Sequence, residues 1–455
     1  MVTVRKKRKA NDALALYMNG ERVGTWRLIT GNEELEYAES WLQSPRGRPI
    51  SLRFPFVPGK AQYSGAEVHN YFENLLPDTQ SIRSRLAQRF NADATDAFSL
   101  LRELGRDCVG ALQIMPEDEL PPATDAVTCT PASEANIAKL LRDTVAPLVG
   151  LARNDSATDF RLSIAGAQEK TALLWHKKRW NIPTGTTPTT HIFKLPLGLV
   201  GNGQSQGQLD MRTSVENEWL CSKLMQAYGL PTASCEMGQF EEQKVLIVER
   251  FDRRAITNTG ERWIARLPQE DFCQATGTSY LKKYQADGGP GIDTILNLLR
   301  NSKQAQTDRE TFFKCQFVFW LLAAIDGHAK NFSIHIEAGG AYSLTPFYDV
   351  LSAYPVMGTK AGQLSPMKAK LAMGVRGEKN MHYKLGEITL RNWLETAKRN
   401  GLSDVAESII EKTIDDTRVV IETVRAQLPD RFPTSVSDTI FAGLIKASKE
   451  IAAQF

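Results

Sequence analysis

The segment Asp326-Gly327-His328-Ala329-Lys330-Asn331, with Phe347-Tyr348-Asp349 behind it, constrains this chain more than any other feature. An Asp five residues before an Asn, with a second Asp further on, is the arrangement a phosphoryl-transfer site needs. The first Asp can accept the proton of an attacking hydroxyl. The Asn and the second Asp can hold magnesium against nucleotide phosphates. The spacing alone carries little weight, because chains of this length contain such pairs by chance. Its weight comes from what lies upstream, in order.

Ser163-Ile164-Ala165-Gly166-Ala167-Gln168-Glu169-Lys170 precedes a strand signal, and its small residues let backbone N–H groups approach an anion. With one glycine it fits neither of the common phosphate-loop patterns, and by itself it reads equally as a hairpin turn. Lys194 lies in the apolar strand Ile192-Phe193-Lys194-Leu195, where a lysine either snorkels to the surface or bridges phosphates and pairs with a helix carboxylate. The helix beginning near Val215 offers Glu216 and Glu218, of which Glu218 is preferred. The strand ending Val248-Glu249-Arg250-Phe251 would then be a hinge with backbone groups for an adenine. Loop, lysine, helix glutamate, hinge, Asp-x4-Asn and final Asp follow the chain order of the kinase template.

At 455 residues the chain exceeds what one core organises, so two or more lobes are expected. The first ~115 residues open on a hairpin (Ala13 to Met18, an Asn19-Gly20 turn, Arg22 to Trp26), followed by helices at His69 to Leu75 and Thr79 to Arg89. The Pro- and acid-rich stretch from Pro116 to Pro122 is a linker, and Ser133 caps a helix running to Ala146. Strands dominate from Phe160 to Phe251, at Lys170 to Trp175, His191 to Leu195 and Val245 to Val248, interrupted by a helix from Val215 to Tyr228. Beyond Thr278 the pattern is overwhelmingly helical: Ile292 to Leu299, Arg309 to Ile325, Leu390 to Arg399, Val405 to Gln427 and Thr439 to Ala452. The expected fold is α+β and two-lobed, protein-kinase-like, with a mixed α/β N-terminal lobe and a mostly helical C-terminal lobe.

The net charge of +3 gives no argument for nucleic acid by itself. Six scattered cysteines without a CxxC pair predict buried thiols in a reducing cytosol rather than a disulfide frame or zinc site. The basic run Arg5-Lys6-Lys7-Arg8-Lys9 lacks a following apolar region, which argues against a signal peptide and for a solvated tail, with a phosphate-contacting arm as the other reading. The longest apolar run, Phe317 to Ile325, is far short of the ~20 residues of a membrane span. A cytoplasmic protein with no membrane partner is expected.

At these residues the chain resembles the HipA family, the serine/threonine kinase toxins of bacterial HipBA toxin–antitoxin modules. The resemblance rests on Asn74-Leu75-Leu76-Pro77-Asp78, Glu103-Leu104-Gly105-Arg106-Asp107, Ser163 to Lys170 and Thr187 to His191, with Val248 to Arg254 and Arg266 to Asp271. Asp287-Gly288-Gly289-Pro290-Gly291, Asp326 to Phe332 and Thr345 to Asp349 extend it, so that it runs from about residue 12 past 425. The basic tail lies outside it. It implies four parts: the tail (1–11), an N-terminal α/β subdomain (12–115), a strand-rich nucleotide-binding part (116–255) and a helical lobe carrying the catalytic and metal-binding loops (256–455).

The resemblance also implies roles. Asp326 would be the catalytic base, and Asn331 and Asp349 the magnesium ligands. ATP would be met by the loop Ala165, Gly166, Ala167, Gln168, Glu169 and Lys170, by Lys194, by Glu249, Arg250 and Phe251 around the adenine, and by His328, Ala329, Lys330 and Tyr348. Ser163 would be autophosphorylated, switching the kinase off. The implied substrate is glutamyl-tRNA synthetase, whose phosphorylation stops charging and arrests growth. The implied partners are a HipB-type DNA-binding antitoxin and, through it, operator DNA. A minor DNA contact is implied at Lys398 and Arg399, a basic pair that otherwise complements a helix dipole. Two alternatives stay open on the residues: a small-molecule kinase, and a catalytically silent corepressor.

Overall fold

The protein is described here by a computed structural model covering residues 11–123, 127–145, 166, 168–201, 208–258 and 261–455. The basic tail and Ser163, Ala165 and Ala167 lie outside the described residues.

The expected hairpin opens the chain. Strands Asn11–Met18 and Glu21–Ile29 pair antiparallel, joined at Asn19 and Gly20, whose φ of +46° and +85° make the turn that matches strand twist. They form the centre of a five-stranded antiparallel sheet with Asn32–Tyr37, Gln62–Ser64 and Leu112–Pro116. Leu14, Leu16 and Trp26 face helices Ala66–Glu73 and Ala97–Leu104, and Trp26 stacks on Phe72 at 3.7 Å. The helix Ala97–Leu104, capped by the Asp96 carboxylate on the Ser99 N–H, is absent from the sequence expectation.

The second sheet has six antiparallel strands in the spatial order Cys235–Phe240, Gln243–Glu249, His191–Lys194, Lys170–His176, Arg179–Pro183, Cys129–Pro131. Period-two alternation divides its faces. Phe193, Val245 and Ile247 pack under the helix Glu134–Val145, which Ser133 caps as expected. Leu246 faces the opposite side, into the core that holds the helix Ser214–Ala227. Lys194 lies across from both Leu246 and Lys170 in register, so the two lysines share the face that turns toward the C-terminal lobe.

That lobe is built on helices Ile292–Leu298, Ala305–Leu321, Leu390–Arg399, Ser403–Arg425 and Thr434–Ala452 around Phe312, Phe317, Trp393, Ile410 and Ile440. It is less uniformly helical than expected. Strands Gln269–Asp271, Ser333–Ile336 and Tyr342–Leu344 form a small sheet, and Lys370–Arg376 pairs with Met381–Lys384. The helix expected to reach Ile325 stops at Leu321, because Ala323 adopts φ +50° and its carbonyl accepts the Ala353 N–H. All six cysteines are free thiols, and Cys129 is half-buried rather than buried. Among the described residues no helix is long and apolar enough to cross a membrane.

Candidate active site

The lysine face of the six-stranded sheet meets the C-terminal lobe across a cleft. Lys194 Nζ lies 2.5 Å from Glu218 Oε1 and 2.6 Å from Asp349 Oδ1. Of the two candidate glutamates the helix thus supplies Glu218; Glu216 pairs instead with Lys244. Burial pushes the Glu218 carboxyl up to about 6 against the pull of Lys194. Burial would also raise Asp349, but Lys194 and Lys170 outweigh it and hold that carboxyl well below the usual range. Lys170, desolvated and repelled by Lys194, is lowered to about 8. On this wall, therefore, Lys194 and Lys170 share the field of the Asp349 carboxylate.

On the opposite wall the chain turns sharply after the Ala305–Leu321 helix. Gly327 is needed there, because a Cβ would lie 2.6 Å from the Phe319 ring. Asp326 O accepts the His328 N–H at 2.8 Å, and His328 O accepts the Asn331 N–H at 2.9 Å, closing one tight turn. Asp326 opens onto the cleft, and Tyr284 donates its hydroxyl to Oδ1 at 2.6 Å. The Asp326 side chain stays open to solvent at the cleft mouth; crowding by the walls raises its carboxyl, the Tyr284 bond counters and the nearby Asp349 adds to the rise. The buried His328 ring packs edge-on against Tyr284, centroids 5.1 Å apart, and burial lowers it to about 3, so it is a neutral imidazole.

Asn331 Nδ2 reaches Asp349 Oδ2 at 3.3 Å, which joins the second half of the motif to the first. Asp349 itself has φ +61°, a conformation uncommon outside glycine and concentrated at functional sites. An amide oxygen and an anionic carboxylate side by side are hard oxygen donors that fit magnesium, which keeps waters and nucleotide oxygens for its other positions. Among the described residues no cluster of three or more His, Cys, Asp or Glu could hold a metal.

Other expected residues divide. Glu249, Phe251 and Tyr348 border the cleft, and the Phe251 ring lies 5.8 Å from Tyr348. Tyr348 donates its hydroxyl to Lys330 O at 3.0 Å. Arg250 also borders the cleft, but its guanidinium is turned into a buried cluster, bonded to Asp107, Asp252, Thr189 and Cys108 O. Its side chain is therefore committed away from an adenine. Ala329 is fully buried within the tight turn. Gly166 has φ +110°, Gln168 donates to Leu195 O at 2.5 Å, and Glu169 is ion-paired with Arg85. Lys398 and Arg399 end the Leu390–Arg399 helix, with Arg399 2.8 Å from Glu395.

Among the residues to which the sequence reading gave no role, Asp78 and Lys283 line the cleft and Tyr284 bonds Asp326. Lys330 Nζ lies 3.0 Å from Asp78 Oδ1 and donates to Asn74 O, while Lys283 donates to Asp78 Oδ2 at 2.7 Å. Asp78 stands in one of the segments that carry the family resemblance, which was the available signal.

A strand-rich lobe and a helical lobe closing on a lysine–glutamate pair, with Asp326 and Asp349 opposite, define a protein-kinase-like fold. The chain belongs to the HipA family: the HipA-like C-terminal domain matches residues 162–421 and the HipA N-terminal domain residues 14–115. It is 31% identical over 421 residues to "Putative kinase Y4mE" of Sinorhizobium fredii, covering 90% of this chain and 91% of that protein. It is 27% identical over 330 residues to "Serine/threonine-protein kinase toxin HipA" of Shewanella oneidensis, covering 70% and 69%. The HipA chain solved with HipB and operator DNA from Shewanella oneidensis MR-1 shares the fold at a TM-score of 0.76 and 22% identity, over 97% of both chains.

Proposed function

We propose that this protein is an ATP- and magnesium-dependent serine/threonine protein kinase, the toxin of a type II toxin–antitoxin pair. The observation that carries the reading is Lys194 held between Glu218 and Asp349, with Asn331 bonded to Asp349 and Asp326 across the cleft. Family membership and the name of the Shewanella relative support the toxin assignment.

In this reading Lys194 and Lys170 meet the nucleotide phosphates, and the hinge at Glu249 to Phe251 takes the adenine. Magnesium held by Asn331 and Asp349 would offset phosphate charge. Asp326 orients a serine hydroxyl and takes its proton. The hydroxyl oxygen bonds to the γ-phosphorus as the bond to the β,γ-bridging oxygen breaks, and ADP leaves. The target is glutamyl-tRNA synthetase, and its modification halts translation and arrests growth in a persistent state. Self-phosphorylation at Ser163 would place about −1.5 to −2 charges beside the phosphate loop and switch the enzyme off. A HipB-type antitoxin restrains the toxin and brings it to operator DNA in transcriptional autoregulation, with Lys398 and Arg399 as a minor DNA contact. The reaction is cytoplasmic.

The test is labelled ATP with the purified synthetase, comparing wild type with Asp326→Gln. Wild type is expected to label a serine, and the variant to bind ATP normally yet transfer nothing. Comparable transfer by the variant would remove Asp326 from the mechanism. Turnover on small hydroxyl compounds with no protein labelled would replace the protein-kinase reading by that of a small-molecule kinase.

A further inference from the structure

The two halves of the chain meet at one carboxylate inside the cleft. Asp78 comes from the N-terminal part, directly after the Pro77 that pairs with Gly166 in a single parallel bridge. Its N–H donates to Gly166 O at 3.2 Å, which ties it to the segment leading into Lys170. Its carboxylate reaches the other way. Oδ2 takes Lys283 at 2.7 Å, and Oδ1 pairs with Lys330 at 3.0 Å without good hydrogen-bond alignment. Both lysines are fixed to the turn that carries Asp326. Lys330 lies within it, and Lys283 O accepts the Ala329 N–H at 3.2 Å. The next residue, Tyr284, holds Asp326 itself.

Both lysines line the cleft, but they differ in exposure and anchoring. Lys330 has 4% of its side chain exposed and a second anchor at Asn74 O, so it is a fastening. Lys283 has 14% exposed and lines the cleft together with Asp78 and Asp326. Burying three charged groups costs desolvation that apolar packing would avoid, so an ion cluster is a poor choice for stability alone. Placed beside a hydroxyl acceptor, an ammonium group stabilises the charge spread over the equatorial oxygens of a transferring phosphoryl group.

We infer that Asp78 is a positioning residue for phosphoryl transfer: it holds Lys283 beside Asp326, where that ammonium group meets the transferred phosphoryl group. This rests on the kinase reading. On it, the N-terminal part supplies the strut that sets the phosphate segment and the catalytic turn at a fixed separation.

The experiment uses the full chain with labelled ATP, magnesium and glutamyl-tRNA synthetase, reading labelling of the synthetase, self-labelling and ATP hydrolysis together. ATP affinity is measured by calorimetry and folding by thermal melting. Asp78→Asn is expected to lower turnover by up to ~100-fold, the cost of a misplaced reacting group, with ATP affinity within about threefold. Asp78→Glu should recover most of that loss. Lys283→Met should match Asp78→Asn, and the double variant should be no worse than either, because the pair acts as one unit. Turnover of Asp78→Asn or Lys283→Met within about twofold of wild type would overturn the inference. So would parallel loss of turnover, ATP affinity and melting temperature in Asp78→Asn, or additive losses in the double variant. A wild-type chain that neither binds nor turns over ATP would instead bring down the kinase reading itself.

Discussion

Asp326 can accept a proton only as a carboxylate, and its surroundings raise its affinity for one. Desolvation by the cleft walls pushes it up, the Tyr284 hydrogen bond pulls it back, and the charge of Asp349 pushes again. Since the active form is the ionised one, turnover should rise with pH through the Asp326 pKa. Tyr284→Phe removes a hydrogen bond that favours the ionised form, so the acidic limb of the kcat profile should move to higher pH. A profile unchanged in the variant would contradict this account of Asp326. Asp349 offers a second test. Its carboxylate is held ionised by Lys194 and Lys170, and it is half of the proposed magnesium site. Asp349→Asn should weaken Mg-ATP binding more than adenosine binding, and chelation of magnesium should lower wild-type ATP affinity toward the variant's level. Calorimetry with both ligands decides; equal losses would mark a folding defect.

Between elements, one buried ion cluster pins the hinge. Asp107, from the N-terminal part, meets Arg250 at 3.1 Å, Arg253 at 2.8 Å and Arg266 at 3.3 Å. Burial alone would raise Asp107, but the three guanidinium groups outweigh it and hold the carboxyl far below its usual range. Asp107→Asn leaves those cations short of charge in a dry site, and the loss should be roughly 3–5 kcal/mol in denaturant unfolding. An unshifted midpoint would show the cluster to be dispensable. That side-chain fate of Arg250 was illegible in sequence, where a hinge arginine and a cluster arginine look alike. The strands Lys170–His176, His191–Lys194 and Gln243–Glu249 were legible, because apolar alternation and flanking turns report a half-buried sheet. Glu218 was preferred to Glu216, and rightly, but no local pattern separates them: both are buried, and two residues apart they project about 200° apart around the helix axis. Only tertiary placement shows which side Lys194 occupies. The helix end at Leu321 was misread because the apolar run continues to Ile325, while the turn at Ala323 is set by its bond to Ala353. Apart from that family segment, Asp78 gave no signal of its role, because the lysines its carboxylate meets lie more than 200 residues away.

Across the whole molecule, the N-terminal sheet is fastened to the rest through paired polar contacts. Asn19 exchanges hydrogen bonds with the backbone of Arg266, Asn70 donates to Gly277 O at 2.8 Å, and Asn74 donates to Thr278 O at 2.9 Å. Glu270 sits at the same seam, fully buried, with one carboxyl oxygen accepting the Leu52 N–H at 2.8 Å. Its other oxygen is buried without a partner. Burial pushes this carboxyl up to about 8 from an ordinary 4.5, against the hydrogen bond from Leu52. Between those two values the folded chain keeps a proton that the unfolded chain has released, so stability falls as pH rises through that window. Below about 4.5 both states are protonated and the penalty vanishes. Glu270→Gln keeps an acceptor for Leu52 and cannot ionise. It should therefore melt above the wild type at pH 8, by a few degrees, and the gap should narrow steadily toward pH 5. A gap independent of pH would mean that Glu270 is ionised in the folded protein. A variant less stable than wild type at pH 8 would mean that the charge itself holds the N-terminal sheet to the kinase-like body.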